Sequence, residues 1–156
     1  MITTHESRPA AARSPPLALR AYVLGAVALG LSALYGGLAL MLRRASDPLG
    51  MPLEWLDRTP FRDYFVPGLT LFTVFGVGSA AVLFGIARRR PWAWPAAVGL
   101  GLAQVCWIAV EVTLLRLFQP LHLAYGGLGA ALVALATRPS VREFLTDDGE
   151  GAGRRA

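Results

Sequence analysis

Four long apolar runs, separated by short polar connections, set the pattern of this chain. They cover residues 21–42, 66–87, 95–115 and 121–136. A helix rises ~1.5 Å per residue, so about 20 apolar residues match a hydrocarbon core of roughly 30 Å. The pattern therefore predicts an all-α fold, a four-helix transmembrane bundle occupying residues 21–138. The first run exceeds the about 7–15 residues of a signal-peptide core. It ends in Leu42-Arg43-Arg44 with no small-x-small cleavage site, so it is expected to remain as the first span.

The connections carry their own signals. Residues 1–20 are expected to form a disordered tail, polar and rich in Ala and Pro as far as residue 16. Residues 139–156 are expected to hold a short interfacial segment followed by a second disordered tail from Thr146. Ser140 and Glu143 have capping-box spacing, with Phe144 and Leu145 dipping into lipid. The longest connection, 43–65, predicts a partly helical outer loop. Leu53-Glu54-Trp55-Leu56 reads as a short amphipathic piece. Thr59-Pro60 offers an N-cap followed by proline at the first helical position. Pro67-Gly68 predicts a bend at the entry to the second span. Trp92 and Trp94 suit an interfacial anchor before the third.

Charge gives the spans a direction. An even number of crossings puts both termini on one side. Arg88-Arg89-Arg90 between the second and third spans shares that side with Arg13, Arg20, Arg138 and Arg142. Ten of the arginines fall there and five on the other side. The positive-inside rule makes the richer side cytoplasmic.

Composition adds a setting. Hydrophobic residues are 54% of the chain and its mean hydropathy is +0.49, too apolar for a soluble domain of this length. The chain has fifteen arginines and no lysine, alongside much Ala, Gly, Leu and Pro. That points to a GC-rich genome and to a bacterial inner membrane. No basic stripe interleaved with aromatics lies outside the spans, so no nucleic-acid partner is expected. The single cysteine, Cys106, excludes an intrachain disulfide and a cysteine-only metal cage. It is expected to be a small buried hydrophobe. No metal and no cofactor are expected.

Close helix packing in lipid relies on small residues. The four-residue spacings Ala28-Ser32-Gly36, Gly76-Ala80, Gly99-Ala103 and Gly126-Ala130 are the candidate contact faces. One of them is a candidate homodimer face.

Few residues within the spans can carry chemistry. Glu111 is the acid set well inside a span, where ionisable groups are costly. Gln104, Trp107 and Glu111 share one helical face at i, i+3 and i+7. Arg116 follows Glu111 by five residues, about 500° around the helix, and so leaves that face. His122 is the better partner. Pro120 starts the fourth helix, which brings His122 to the depth of Glu111 on an antiparallel neighbour. A proton shared between them is the chemistry this pairing offers, and helix pinning is the plainer role. Asp63 is a further candidate for the same outer corner. The chain has no P-loop, no HExxH, no CxxC and no nucleophile elbow.

Three short stretches resemble a known group. Gly50-Met51-Pro52-Leu53, Thr59-Pro60-Phe61-Arg62-Asp63-Tyr64 and Pro67-Gly68-Leu69, followed later by Trp107-Ile108 and Glu111, resemble uncharacterised small bacterial integral membrane proteins with four transmembrane helices. The resemblance covers about residues 50–128. It implies the four-span layout and an ordered outer loop, and it implies no activity and no catalytic residue.

The sequence leaves three functional readings. The first is a non-enzymatic accessory or partner-binding subunit, its partners being the lipid bilayer and another membrane protein or a second copy. The second is a small-solute or proton-coupled transporter that acts as an oligomer through Glu111 and His122. The third is a membrane enzyme with Asp63, Glu111 and His122 as acid–base groups at the outer interface.

Overall fold

The structure, a computed structural model, describes residues 14–42, 56, 60–116 and 118–153. These residues form five helices and no strand. They are α1 (Leu17–Met41), α2 (Phe65–Ala87), α3 (Ala93–Leu115), α4 (Pro120–Ala136) and α5 (Pro139–Gly153). The first three are each long and apolar enough to cross a membrane. With 17 residues, α4 covers about 26 Å at ~1.5 Å per residue. It matches the others in length when joined to the first two turns of α5, across a bend of 63°.

Helices α1 to α4 run alternately up and down, and each packs on the next. A contact between α1 and α4 closes the ring. The core runs down its centre through Tyr22, Leu29, Phe75, Val82, Leu100 and Leu132. The outward faces stay apolar, with Leu24, Leu31, Phe84, Leu102 and Leu123 exposed, as a lipid-facing surface requires.

The span limits fall within four residues of those read from the sequence, and the contact faces do not. On α1 the inward stripe is Ala26, Gly30, Ala33 and Gly37, whereas Ala28 is exposed. A side-chain carbon at Gly37 would lie 2.7 Å from both the Gly68 carbonyl oxygen and the Phe72 nitrogen. One at Gly68 would lie 2.8 Å from Leu40 Cβ. Backbone meets backbone here, and only glycine admits it. Gly76 is a contact residue as expected, against Leu34, but Ala80 is exposed. Gly101 replaces Gly99, and Gly129 replaces Ala130. Uniformly apolar helices have no polar face to say which small residues point inward.

The second span also differs inside. Pro67 sits in the first turn of α2, where its missing N–H costs nothing, and does not break the helix. Instead residues Leu71–Val77 form a π-helical segment. Where the ladder changes register a carbonyl loses its partner. The Thr73 hydroxyl donates to the Leu69 carbonyl at 2.7 Å, and Thr70 donates to Val66 at 3.0 Å. Both are back-bonds to the preceding turn of the same helix.

Other expectations need correction. The helix of α1 already begins at Leu17, behind Pro16, so the disordered tail does not extend to residue 20. Residues 1–13 lie outside the described residues. Pro60 is in a bend, and α2 starts only at Phe65, whose N–H bonds the Asp63 carboxylate. Thr59 and most of the amphipathic piece lie outside the described residues, although Leu56 is buried in a 3₁₀ turn. Cys106 is exposed on the outward face of α3. Ser140 lies within α5 and does not cap it. The Arg138 carbonyl accepts the first bonds, from Val141 and Arg142. The helix continues to Gly153, through the stretch expected to be disordered. After the bend, α5 folds back across the end of the bundle. Val141 and Leu145 are each 1% exposed, buried against the bundle and not in lipid.

Adding a methyl group at position 37 forces two backbones apart, and overpacking of this kind costs about 1–3 kcal/mol. Unfolding of the bundle by titration with sodium dodecyl sulfate should show that loss for Gly37→Ala. Gly99, with nothing within 4 Å of its added carbon, should accept alanine with no loss and gain up to about 1 kcal/mol of helix propensity.

Candidate functional site

The corner where α3 ends and α4 begins holds Glu111 and His122. The sequence there forces a sharp reversal. α3 stops at Leu115, and Arg116 takes a left-handed conformation at φ 49°. Its side chain is exposed, and it forms no ion pair with Glu111. Leu117 lies outside the described residues. Gln119 then caps α4 with Pro120 at its first position, as the sequence predicts.

This cap orients His122. The Gln119 N–H donates to His122 Nδ1 at 3.1 Å, while the His122 N–H donates to the Gln119 carbonyl at 2.9 Å. Because Nδ1 accepts a bond, the neutral ring carries its proton on Nε2. That nitrogen faces Glu111 Oε2 at 4.0 Å. The separation exceeds a direct hydrogen bond. The His122 side chain is 13% exposed and that of Glu111 33%, so the corner is half open. Trp107 lies one turn from Glu111 on the same face of α3. Its ring meets Phe75 edge-on at 5.9 Å, which ties the corner to the π-helical segment of α2. Phe118 tilts over the imidazole at 6.3 Å.

Below this corner the polar stripe continues to Gln104, 1% exposed and packed under Gly129. Its Oε1 has no hydrogen-bond partner, and neither has the fully buried Ser79 Oγ on α2. Both oxygens lie inside the bundle, where an unmatched polar atom is costly. Asp63 is exposed and spent on the Phe65 N–H. The structure thus sets Glu111 and His122 4.0 Å apart, places Gln104 deeper on the same face, and leaves Asp63 and Arg116 out of that cluster. Among the described residues, no group of three metal-ligating side chains converges.

The opposite end holds Tyr22, which sequence reasoning did not single out, and Trp94, which it read only as an interfacial anchor. The Tyr22 hydroxyl, fully buried, donates to the Ala97 carbonyl at 2.9 Å and joins α1 to α3. The Trp94 indole donates to the Ala136 carbonyl at 3.1 Å and joins α3 to α4. The Arg142 guanidinium lies 5.1 Å over the Trp94 ring, and that of Arg89 lies 4.9 Å over Phe144. Trp94 therefore staples helices where an interfacial anchor was expected. The acceptors are main-chain carbonyls, which leave no trace in the sequence. The run of arginines beside the tryptophans was the visible signal.

Nitrogen NMR of histidine-labelled His5→Ala protein reads the ring directly. The neutral His122 should show a bare, hydrogen-bonded Nδ1 and a protonated Nε2. Glu111→Gln should leave that tautomer unchanged, because the Gln119 cap sets it. A protonated Nδ1 in the neutral ring contradicts the geometry.

No family model, curated protein or solved structure matches this chain.

Proposed function

We propose that this multi-pass membrane protein is a non-enzymatic accessory or partner-binding subunit. The observation that carries the reading is where its polar side chains go. Tyr22 and Trp94 bond main-chain carbonyls of neighbouring helices. Ser32, Thr70, Thr73, Thr113 and Thr137 bond carbonyls of their own helices. Asp63 and His122 hold helix starts. Apart from Glu111, Gln104 and Ser79, the groups that could line a path or grip a substrate are used within a helix or between helices. The partner is another membrane protein or a second copy, met through the apolar outer faces.

The bacterial inner membrane is the proposed setting, with both termini in the cytoplasm. The arginine asymmetry supports this orientation. Arg20, Arg88, Arg89, Arg90, Arg138 and Arg142 gather at the end of the bundle that α5 covers. The resemblance to small bacterial four-span proteins agrees with that setting.

A second reading has its own observation. Glu111 and His122 lie 4.0 Å apart, above the two buried unpartnered oxygens of Gln104 and Ser79. A proton-coupled carrier would use such a stripe. Purified protein in liposomes with an imposed pH gradient separates the two. The accessory reading expects proton entry at the protein-free background, and migration in mild detergent as a complex larger than one chain. Entry above background that Glu111→Gln abolishes would overturn it and support the carrier.

A further inference from the structure

At the arginine-rich end, a cleft of about 440 Å³ opens between the start of α1, the end of α2 and the back-folded α5. Its apolar wall is made by Leu19, Val23, Leu24, Ile86 and Phe144, and Arg20 and Arg89 stand at its sides. Apolar side chains below and guanidinium groups beside them match one kind of molecule in a membrane. We infer that this cleft binds an anionic glycerophospholipid, with its phosphate between Arg20 and Arg89 and an acyl chain along Leu19, Val23 and Ile86.

Three features support the assignment. The first is depth. The cleft adjoins Arg88 to Arg90 and lies at the end of the spans where Trp92 and Trp94 stand, the level of lipid headgroups. The second is charge. Basic pockets between transmembrane helices on the cytoplasmic side suit anionic headgroups, and guanidinium pairs phosphate oxygens bidentately. The third is the backbone that carries Arg89. The end of α2 closes in a Schellman motif, with Arg90 N–H on the Gly85 carbonyl at 2.9 Å and Arg89 N–H on Ile86 at 3.1 Å. Its left-handed position usually holds glycine. Here it holds Arg89 at φ 49°. The side chain that this turn carries lines the cleft and lies over Phe144, which fixes the wall contributed by α5. A bound lipid would therefore bridge α1, α2 and α5.

Native mass spectrometry of the full chain in neutral detergent tests this, with dioleoyl phosphatidylglycerol and dioleoyl phosphatidylcholine added in equal amounts. The intact protein should retain the anionic lipid at least fivefold over the zwitterionic one. Millimolar inorganic phosphate should not displace it, since the acyl chain contributes to binding. Arg20→Gln with Arg89→Gly should remove the preference, and glycine at position 89 preserves the turn. Arg138→Gln with Arg142→Gln removes the same charge from the same end and should leave at least half of the preference. Equal retention of the two lipids by the unmodified chain overturns the inference. So does an equal loss in both double variants, which would mean general surface attraction. Displacement by phosphate alone would show a plain anion site and overturn the lipid assignment.

Discussion

The carbonyl oxygen of Gly68 lies where a side-chain carbon of residue 37 would have to sit, 2.7 Å away. The rest of the bundle depends on this approach of α1 to α2. In lipid there is almost no hydrophobic gain when two helices meet, because the tails are as apolar as leucine. What remains is dispersion between closely fitted surfaces and the hydrogen bonds that proximity allows. Gly30, Gly37, Gly68 and Gly76 lower the surface of each helix until the fit is continuous. α2 then turns Phe75 toward Trp107, and Tyr22 reaches Ala97 across the ring.

The two ends of the bundle are finished differently. One corner joins α3 to α4 through a left-handed arginine, a proline and a histidine that acts as a helix cap. Its chemistry lies in one carboxylate facing one imidazole nitrogen. The other end is closed by α5, whose Val141 and Leu145 fill the floor of the core. Arginines there lie over aromatic rings, which shields the ring faces and keeps the charge at the edge of the bilayer. Charge and amphipathic cover coincide at that end, and the inferred lipid cleft lies there rather than at the corner of Glu111.

The spans were legible because length and hydropathy are one-dimensional properties. The pairing of Glu111 with His122 was legible for a related reason. Ionisable residues are scarce in the spans, and Pro120 fixes where α4 begins, so depth alone brings the two together. Orientation about each helix axis was not legible. With leucine, alanine and valine on every side, Ala28-Ser32-Gly36 and Gly30-Ala33-Gly37 look equally good, and only the neighbouring backbone chooses between them. The π-helical turn has no local signature, and Thr70 and Thr73 beside it read as ordinary span residues. The amphipathic start of α5 was visible, and Pro139 marks where the chain breaks, but not the 63° angle that sets its destination. The tyrosine and tryptophan staples were hidden because their acceptors are carbonyls.

Disulfide cross-linking in native membranes tests the close approach of α1 and α2 most directly. A side-chain carbon at Gly68 would lie 2.8 Å from Leu40 Cβ, and a small relaxation reaches the roughly 3.8 Å of a disulfide. In a Cys106→Ala background, Leu40→Cys with Gly68→Cys should cross-link rapidly under mild oxidation. Leu38→Cys, whose native side chain is exposed, should not cross-link with Gly68→Cys. Cross-linking of the Leu38 pair in preference to the Leu40 pair would place a different face of α1 on α2 and contradict the account.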